Sequence, residues 1–175
     1  TAFWKEDLKA VIPLKPDVIM PTKVSGGDMI REVSACMAEV ERENKIEEGT
    51  VKILPLIETA MGVEKAFDIA SADARVIGLF LGGEDFTADL HCKRTKEGNE
   101  IFYARTRLVC AARACGIEAY DTPFTDVEDM EGLEKDTEFA KSLGFAGKAV
   151  ISPRHVDIVN AVFSPTEAEI AYAHD

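Results

Sequence analysis

Two carboxylates stand where the chain turns from apolar to small and polar. Glu58 closes the run Lys52-Ile53-Leu54-Pro55-Leu56-Ile57, and Asp85 follows Val76-Ile77-Gly78-Leu79-Phe80-Leu81-Gly82-Gly83-Glu84. An apolar run that stops at an acid is how a parallel strand presents a functional group at the carboxyl edge of an α/β sheet. Two such edges can share one hard divalent cation such as Mg²⁺, which takes one or two protein carboxylates and completes its shell with water and substrate oxygens. The competing reading of Glu58 is a cap for a helix beginning at Gly62, and Asp89 suits a cap on the turn that follows it. Gly82 and Gly83 allow close backbone approach, so Gly83 and Glu84 join Glu58 and Asp85 as candidate substrate contacts.

Three further segments carry groups of interest. Val18-Ile19-Met20-Pro21-Thr22-Lys23 places a lysine just past a strand end, where its ammonium could meet a carboxylate or an enolate oxygen; a solvated surface lysine is the plainer alternative. Lys93-Arg94-Thr95-Lys96 is a basic cluster in an acidic chain, suited to the phosphates of a bulky carrier or nucleotide, with Lys93 and Arg94 the candidates; a plain solvated loop is an equal alternative. Ser152, before Pro153, could cap a helix whose first amides would bind an anion, which makes it a candidate substrate contact. His155 has no hydroxyl or thiol at a triad spacing, so no Ser/His/Asp or Cys/His arrangement is proposed.

The elements that must position these groups alternate along the chain. Strands are predicted over Val18–Pro21, Lys52–Ile57, Val76–Gly82, Ile117–Tyr120 and Lys148–Ile151, and helices over Gly26–Asn44, Gly62–Ser71, Glu100–Ala114 and Val127–Leu143. Alternation of this kind gives an α/β fold with parallel strands. Ile101, Arg105, Leu108, Val109 and Ala112 recur at helical spacing on one face. Asp28 and Asp126 stand where helices would be capped, and Gly116, Gly144 and Gly147 where helices end and strands begin. Another helix is expected to start in Thr166–Asp175.

Composition bounds the function. With 175 residues, 46% of them hydrophobic, the chain has the size of one domain. A net charge of −12 argues against nucleic acid or an anionic membrane as the main partner. No run reaches the roughly 20 apolar residues of a membrane span and no leader pattern opens the sequence, so a cytoplasmic protein is the expectation. Cys36, Cys92, Cys110 and Cys115 lack zinc-like pairing and are expected to be reduced and mostly structural.

Taken in order, Pro21-Thr22-Lys23, Leu56-Ile57-Glu58-Thr59-Ala60-Met61-Gly62, Gly82-Gly83-Glu84-Asp85-Phe86-Thr87-Ala88-Asp89-Leu90, Asp121-Thr122-Pro123-Phe124-Thr125-Asp126 and Gly144-Phe145-Ala146-Gly147-Lys148 resemble the citrate lyase β-subunit branch of the aldolase/citrate lyase family. The resemblance implies a TIM (β/α)8-barrel fold, with residues 1–175 forming one incomplete domain of about five βα units, the fourth to eighth strands. It implies Mg²⁺ held by Glu58 and Asp85, and carbon–carbon cleavage of a citryl thioester to oxaloacetate and an acetyl thioester. Lys23 takes a supporting catalytic role. Malyl or methylmalyl thioester cleavage, thioester hydrolysis and a noncatalytic metal-binding fragment are the alternatives. Relatives assemble, so a homo-oligomer, with other citrate lyase subunits as further partners, is expected. The family's first three strands, its arginine at the third strand end and its C-terminal helical region have no counterpart here. Its usual Ile-His-Pro is Ile151-Ser152-Pro153 in this chain.

Overall fold

The computed structural model describes residues 3–166 and 170–172. Its strands are short and all their pairings are parallel. β1 (Val18–Ile19) pairs with β2 (Lys52–Ile53), and β3 (Leu56–Ile57), β4 (Gly78–Leu81), β5 (Glu118–Asp121) and β6 (Gly147–Lys148) pair in that order. The single strand predicted over 52–57 is therefore two, parted at Leu54-Pro55. Hydrogen bonding nevertheless continues past the break: Leu54 N–H donates to Ile19 C=O at 3.0 Å, and Leu56 N–H to Pro21 C=O at 2.9 Å. Five strand positions thus lie in sequence order across one sheet, as the alternation predicted.

The break has a cause in the sequence. Proline has no N–H to give to a ladder. Across from Pro55, Ile53 pairs with Val76 whereas Leu56 pairs with Phe80, so three steps on one strand are matched by four on the other. The extra residue in the Ile77-Gly78 stretch is a bulge, which shifts the register by one from there to the strand end.

Around the strands lie α1 (Trp4–Val11), α2 (Gly27–Glu43), α3 (Ala60–Glu64), α4 (Ala66–Ala70), α5 (Gly83–Asp89), α6 (Phe102–Ala114), α7 (Met130–Leu143) and α8 (Val156–Phe163). Helices α2, α4, α6, α7 and α8 contact one another in that order, forming an outer row over the sheet. Parallel strands in chain order under such a row are the arrangement of a TIM-type barrel wall. The helix predicted over Gly62–Ser71 is instead two short ones that meet at Lys65. Asp129, not Asp126, caps α7, its carboxylate accepting Gly132 N–H at 2.9 Å. Gly26 precedes α2, and Asp28 lies inside the first turn. At the other end of α7, Gly144 takes φ 101°, as the predicted terminator requires. Residues 170–172 are helical, and the rest of the helix expected near the end lies outside the described residues.

The core is continuous. Ile57, Leu79, Leu81 and Ala119 are fully buried under Ile69, Leu108 and Ala112 of the helices. Full burial of each leucine contributes roughly 2 kcal/mol. All four cysteines are free; Cys36 is buried and Cys115 half-buried, whereas Cys92 and Cys110 are exposed and so lack the burial that the expected structural role rested on.

Two ionic clusters interrupt the apolar interior. Near the starts of β2 and β4, Glu41 accepts from both terminal nitrogens of Arg75 at 2.9 and 2.6 Å, and from Gly49 and Val51 N–H. Burial alone would raise the Glu41 carboxyl. Arg75 and the two amides outweigh it and hold the group below the ordinary range. The second cluster joins Arg105, Asp121, Asp136 and Lys148. Arg105 donates to Asp121 at 3.0 and 2.8 Å and to Asp136 at 2.8 and 3.1 Å, while Lys148 Nζ lies 2.6 Å from each aspartate. Two cations and two anions cancel, so the interior holds no net charge there.

A third ionic group sets a pH dependence. Burial raises the Glu100 carboxyl, but Thr95 N–H and Oγ1 and Arg94 Nη1, at 2.9, 2.8 and 2.7 Å, together bring it down to about 2. A lowered folded-state value means stability that is present above the unfolded value and lost as pH falls through the folded one. Glu100→Gln is therefore expected to lower stability by roughly 1–2 kcal/mol at neutral pH, after discounting for solvent screening. Urea unfolding midpoints of the two proteins should converge as pH falls from about 4.5 towards about 2. A gap that persists unchanged at the acid end would exclude this account.

Candidate metal centre

Glu58 follows β3 and Asp85 sits in the first turn of α5, directly after β4, so neighbouring parallel strands deliver both to the same sheet edge. Glu58 is buried at 6% exposure, while the Asp85 side chain is half exposed. Lys23 lies between them. Its backbone N–H donates to Glu58 Oε1 at 2.8 Å and its Nζ to Asp85 Oδ2 at 2.6 Å. It does so from φ 52°, a left-handed conformation that costs a non-glycine residue on the order of 1 kcal/mol. The chain bears that cost where one residue aims both its amide and its ammonium at the carboxylate pair.

The electrostatics describe a site short of positive charge. Burial raises the Glu58 carboxyl; the Asp85 carboxylate raises it further, and the Lys23 amide opposes both. Asp85 is lowered, chiefly by its hydrogen bond from Lys23, and Lys23 is raised by the same contact. Two neighbouring carboxylates with a single ammonium, bonded to Asp85 alone, are a donor set a divalent cation would satisfy. Among the described residues no three His, Cys, Asp or Glu side chains converge on a metal position. The site therefore fits an ion that accepts two protein carboxylates and takes its other ligands from water and substrate, which is the habit of Mg²⁺.

The capping alternatives resolve locally. Thr59, not Glu58, caps α3, its Oγ1 accepting Gly62 N–H at 3.1 Å. Asp89 does act as a cap, but for the neighbouring helix: its Oδ2 accepts Ala60 N–H at 2.7 Å. The turn after Glu58 is thereby tied to α5, which carries Asp85. The two glycines serve the protein's own packing. A Cβ on Gly82 would lie 2.7 Å from Glu58 Cβ, and one on Gly83 would lie 2.8 Å from Thr122 Oγ1. The close approach they permit is therefore to Glu58 and Thr122.

The remaining candidates fall elsewhere. Glu84 faces Arg94, with Oε1 3.5 Å from Nε. Arg94 also holds Glu100 and the Thr95 carbonyl, so its guanidinium is committed inward, which corrects its assignment to carrier phosphate; Lys93 is exposed. Lys96 binds Asp126 and Asp129 at 2.6 and 2.9 Å. Ser152 follows β6, two strands beyond β4, and its hydroxyl accepts Arg154 N–H at 3.4 Å to cap the short turn Pro153–His155. His155 is fully buried, with Nε2 3.5 Å from Val127 C=O, well removed from any nucleophile role.

Sequence reasoning missed the support behind α5. Gly83 N–H donates to Thr122 Oγ1 at 2.9 Å, and the Thr122 carbonyl accepts Lys148 Nζ at 2.8 Å. The available signal was Arg105, an arginine at an apolar helical spacing, which requires buried counter-charges.

Comparison with known proteins places the chain in a family. The profile of the HpcH/HpaI aldolase/citrate lyase family matches residues 1–153. Citrate lyase subunit beta of Leuconostoc mesenteroides subsp. cremoris is 41% identical over 175 residues, covering all of this chain and 58% of that protein. The chain thus spans little more than half of that curated relative. Among solved structures, RipC from Yersinia pestis superposes with a TM-score of 0.84 at 31% identity, covering 94% of this chain and 73% of that one. A citrate lyase beta subunit from M. tuberculosis, complexed with oxaloacetate and magnesium, superposes with a TM-score of 0.78 at 26% identity, over 94% of this chain and 69% of that one. With a profile that spans most of its length and a relative of this identity along all of it, the chain belongs to the HpcH/HpaI aldolase/citrate lyase family.

Proposed function

We propose that this chain carries the metal-binding part of a Mg²⁺-dependent carbon–carbon lyase that cleaves a citryl thioester to oxaloacetate and an acetyl thioester. The observation that carries the reading is the Glu58–Asp85 pair on neighbouring strand ends, with Lys23 bonded to both. Glu58 and Asp85 would hold the ion. When bound, it supplies Lewis-acid chelation of the substrate's hydroxyl and adjacent carboxylate oxygens and offsets their charge.

The chain's own residues then do the following. Glu58 is fixed by the Lys23 amide and by burial, so its carboxylate does not reorganise during the reaction. The substrate hydroxyl gives its proton to solvent water, the alkoxide becomes the ketone of oxaloacetate as the carbon–carbon bond breaks, and that bond's electron pair passes to the thioester as an enolate. A proton returned from solvent to the enolate carbon completes the acetyl thioester. Lys23, whose exposed ammonium now holds Asp85, would be left to offer a supporting positive charge to the enolate if that carboxylate were engaged by the ion.

The test uses the full gene product with citryl-CoA, malyl-CoA and methylmalyl-CoA, each with and without Mg²⁺, following oxaloacetate or glyoxylate release. Mg²⁺-dependent oxaloacetate from citryl-CoA, with at least about a tenfold preference in kcat/KM, is the expected result. Preference for either malyl thioester reassigns the substrate within the same chemistry, and turnover indifferent to EDTA removes the metal from it.

A further inference from the structure

Asp85 is held from its solvent side by Lys23, and that contact is exposed. Its helix is held from behind by something different. Gly83, the first residue of α5 and two before Asp85, donates its buried N–H to Thr122 Oγ1 at 2.9 Å. Thr122 follows β5 and is 1% exposed. Its methyl and hydroxyl lie so near the Gly83 backbone that a Cβ there would sit 2.8 Å from Oγ1 and 3.0 Å from Cγ2. The backbone carbonyl of the same threonine accepts Lys148 Nζ at 2.8 Å, and Lys148 is anchored by Asp121 and Asp136.

We propose that Thr122 is a positioning residue for Asp85, fixed in place by Lys148, and that its hydroxyl thereby sets the affinity of the Glu58–Asp85 pair for a divalent cation. The inference rests on the reading of that pair as metal ligands. A helix start carrying a ligand in its first turn is poorly fixed by the helix itself, since its early amides lack partners within the helix. The Thr122 hydroxyl gives one of them a fixed acceptor. Beneath it, the β5 and β6 ends are locked by a neutral set of four buried charges, so the acceptor cannot drift. Strands that contribute no ligand thus determine where a ligand stands, in the manner of the outer partners that orient metal-binding groups generally.

The experiment compares wild type, Thr122→Val and Thr122→Ser in the full gene product. Mn²⁺ affinity is read by electron paramagnetic resonance, and exchange of the Gly83 amide is read in the metal-free protein. Valine keeps the shape and removes the acceptor; serine keeps the acceptor. Thr122→Val is expected to weaken Mn²⁺ binding by about 10- to 100-fold and to speed Gly83 exchange, with Thr122→Ser within about threefold of wild type in both. A general loss of stability would lower the melting temperature without this split at temperatures where all three are folded. Should the valine protein not fold, Thr122→Ala replaces it. Unchanged Mn²⁺ affinity in the valine or alanine protein overturns the proposal, as does an equal loss in the serine protein. Absence of Mn²⁺ binding in the wild type overturns the metal reading as well.

Discussion

Asp85→Ala is expected to lower Mg²⁺-dependent cleavage of citryl-CoA by about a thousandfold or more in kcat/KM, equivalent to roughly 4 kcal/mol of transition-state stabilisation. The reason is arithmetic of ligands: among the described residues the site has two carboxylates and no third acid, histidine or cysteine to replace one. Losing Asp85 leaves a single buried carboxylate, Glu58, and frees the Lys23 ammonium to move onto it. A lysine seated on the remaining ligand would then compete with the cation. Folding should be nearly unaffected, since the Lys23–Asp85 contact is exposed and pairs of that kind contribute little. The decisive comparison is therefore kinetic and at matched melting temperature. Cleavage within tenfold of wild type at saturating Mg²⁺ would remove Asp85 from the metal's shell.

The largest loss of stability is expected from Lys148→Met. The substitution keeps the volume and deletes a cation that lies 2.6 Å from both Asp121 and Asp136. Arg105 alone would then face two aspartates in a fully buried space. Breaking a buried ionic set from one side costs about 3–5 kcal/mol, because the partners left behind remain desolvated and uncompensated. Burial opposes ionisation of Asp136, and the Lys148 and Arg105 charges outweigh it, holding the carboxyl below its ordinary range. Without Lys148 that balance shifts towards the protonated acid. The urea midpoint should fall accordingly, and adding Asp136→Asn to Lys148→Met should recover part of the loss. A single variant within about 1 kcal/mol of wild type would mean that the set is solvated.

Much of the fold was legible because the strands are covered on both faces and spell out apolar runs. The five strand positions and the parallel order follow from those runs and from the helices between them. Boundaries were less legible where one residue decides them. Pro55 lacks an N–H and splits its run; Asp129 rather than Asp126 caps α7, because its carboxylate is the one that reaches an amide three residues on. For the site, the rule of an acid at the end of an apolar run located Glu58 and Asp85. Read without tertiary context, the same rule also fits Asp121, which closes Ile117-Glu118-Ala119-Tyr120, yet Asp121 is wholly consumed by Arg105 and Lys148. Strand-end position brings a carboxylate to the right edge of the sheet. Whether it is available to a ligand depends on which cations the flanking helix and the next strand bury against it, and local sequence does not encode that pairing. Arg94 illustrates the converse: a charge run that reads as a free basic patch is turned inward by Glu84 and Glu100.

The bulge opposite Pro55 makes the site a matter of chain length as well as residue type. With four steps on β4 against three on its neighbour, the register that pairs Ile57 with Leu81 carries on to set Glu58 beside Gly82, whose missing side chain is what leaves space for the glutamate. Insert one residue into the Ile77-Gly78 stretch while keeping the upstream pairing and the bulge, and Leu81 falls opposite Glu58, its isobutyl group occupying the carboxylate's place. Variation among relatives of this chain should therefore tolerate substitution in that segment far more readily than insertion, so that its spacing, more than its composition, is what inheritance must preserve.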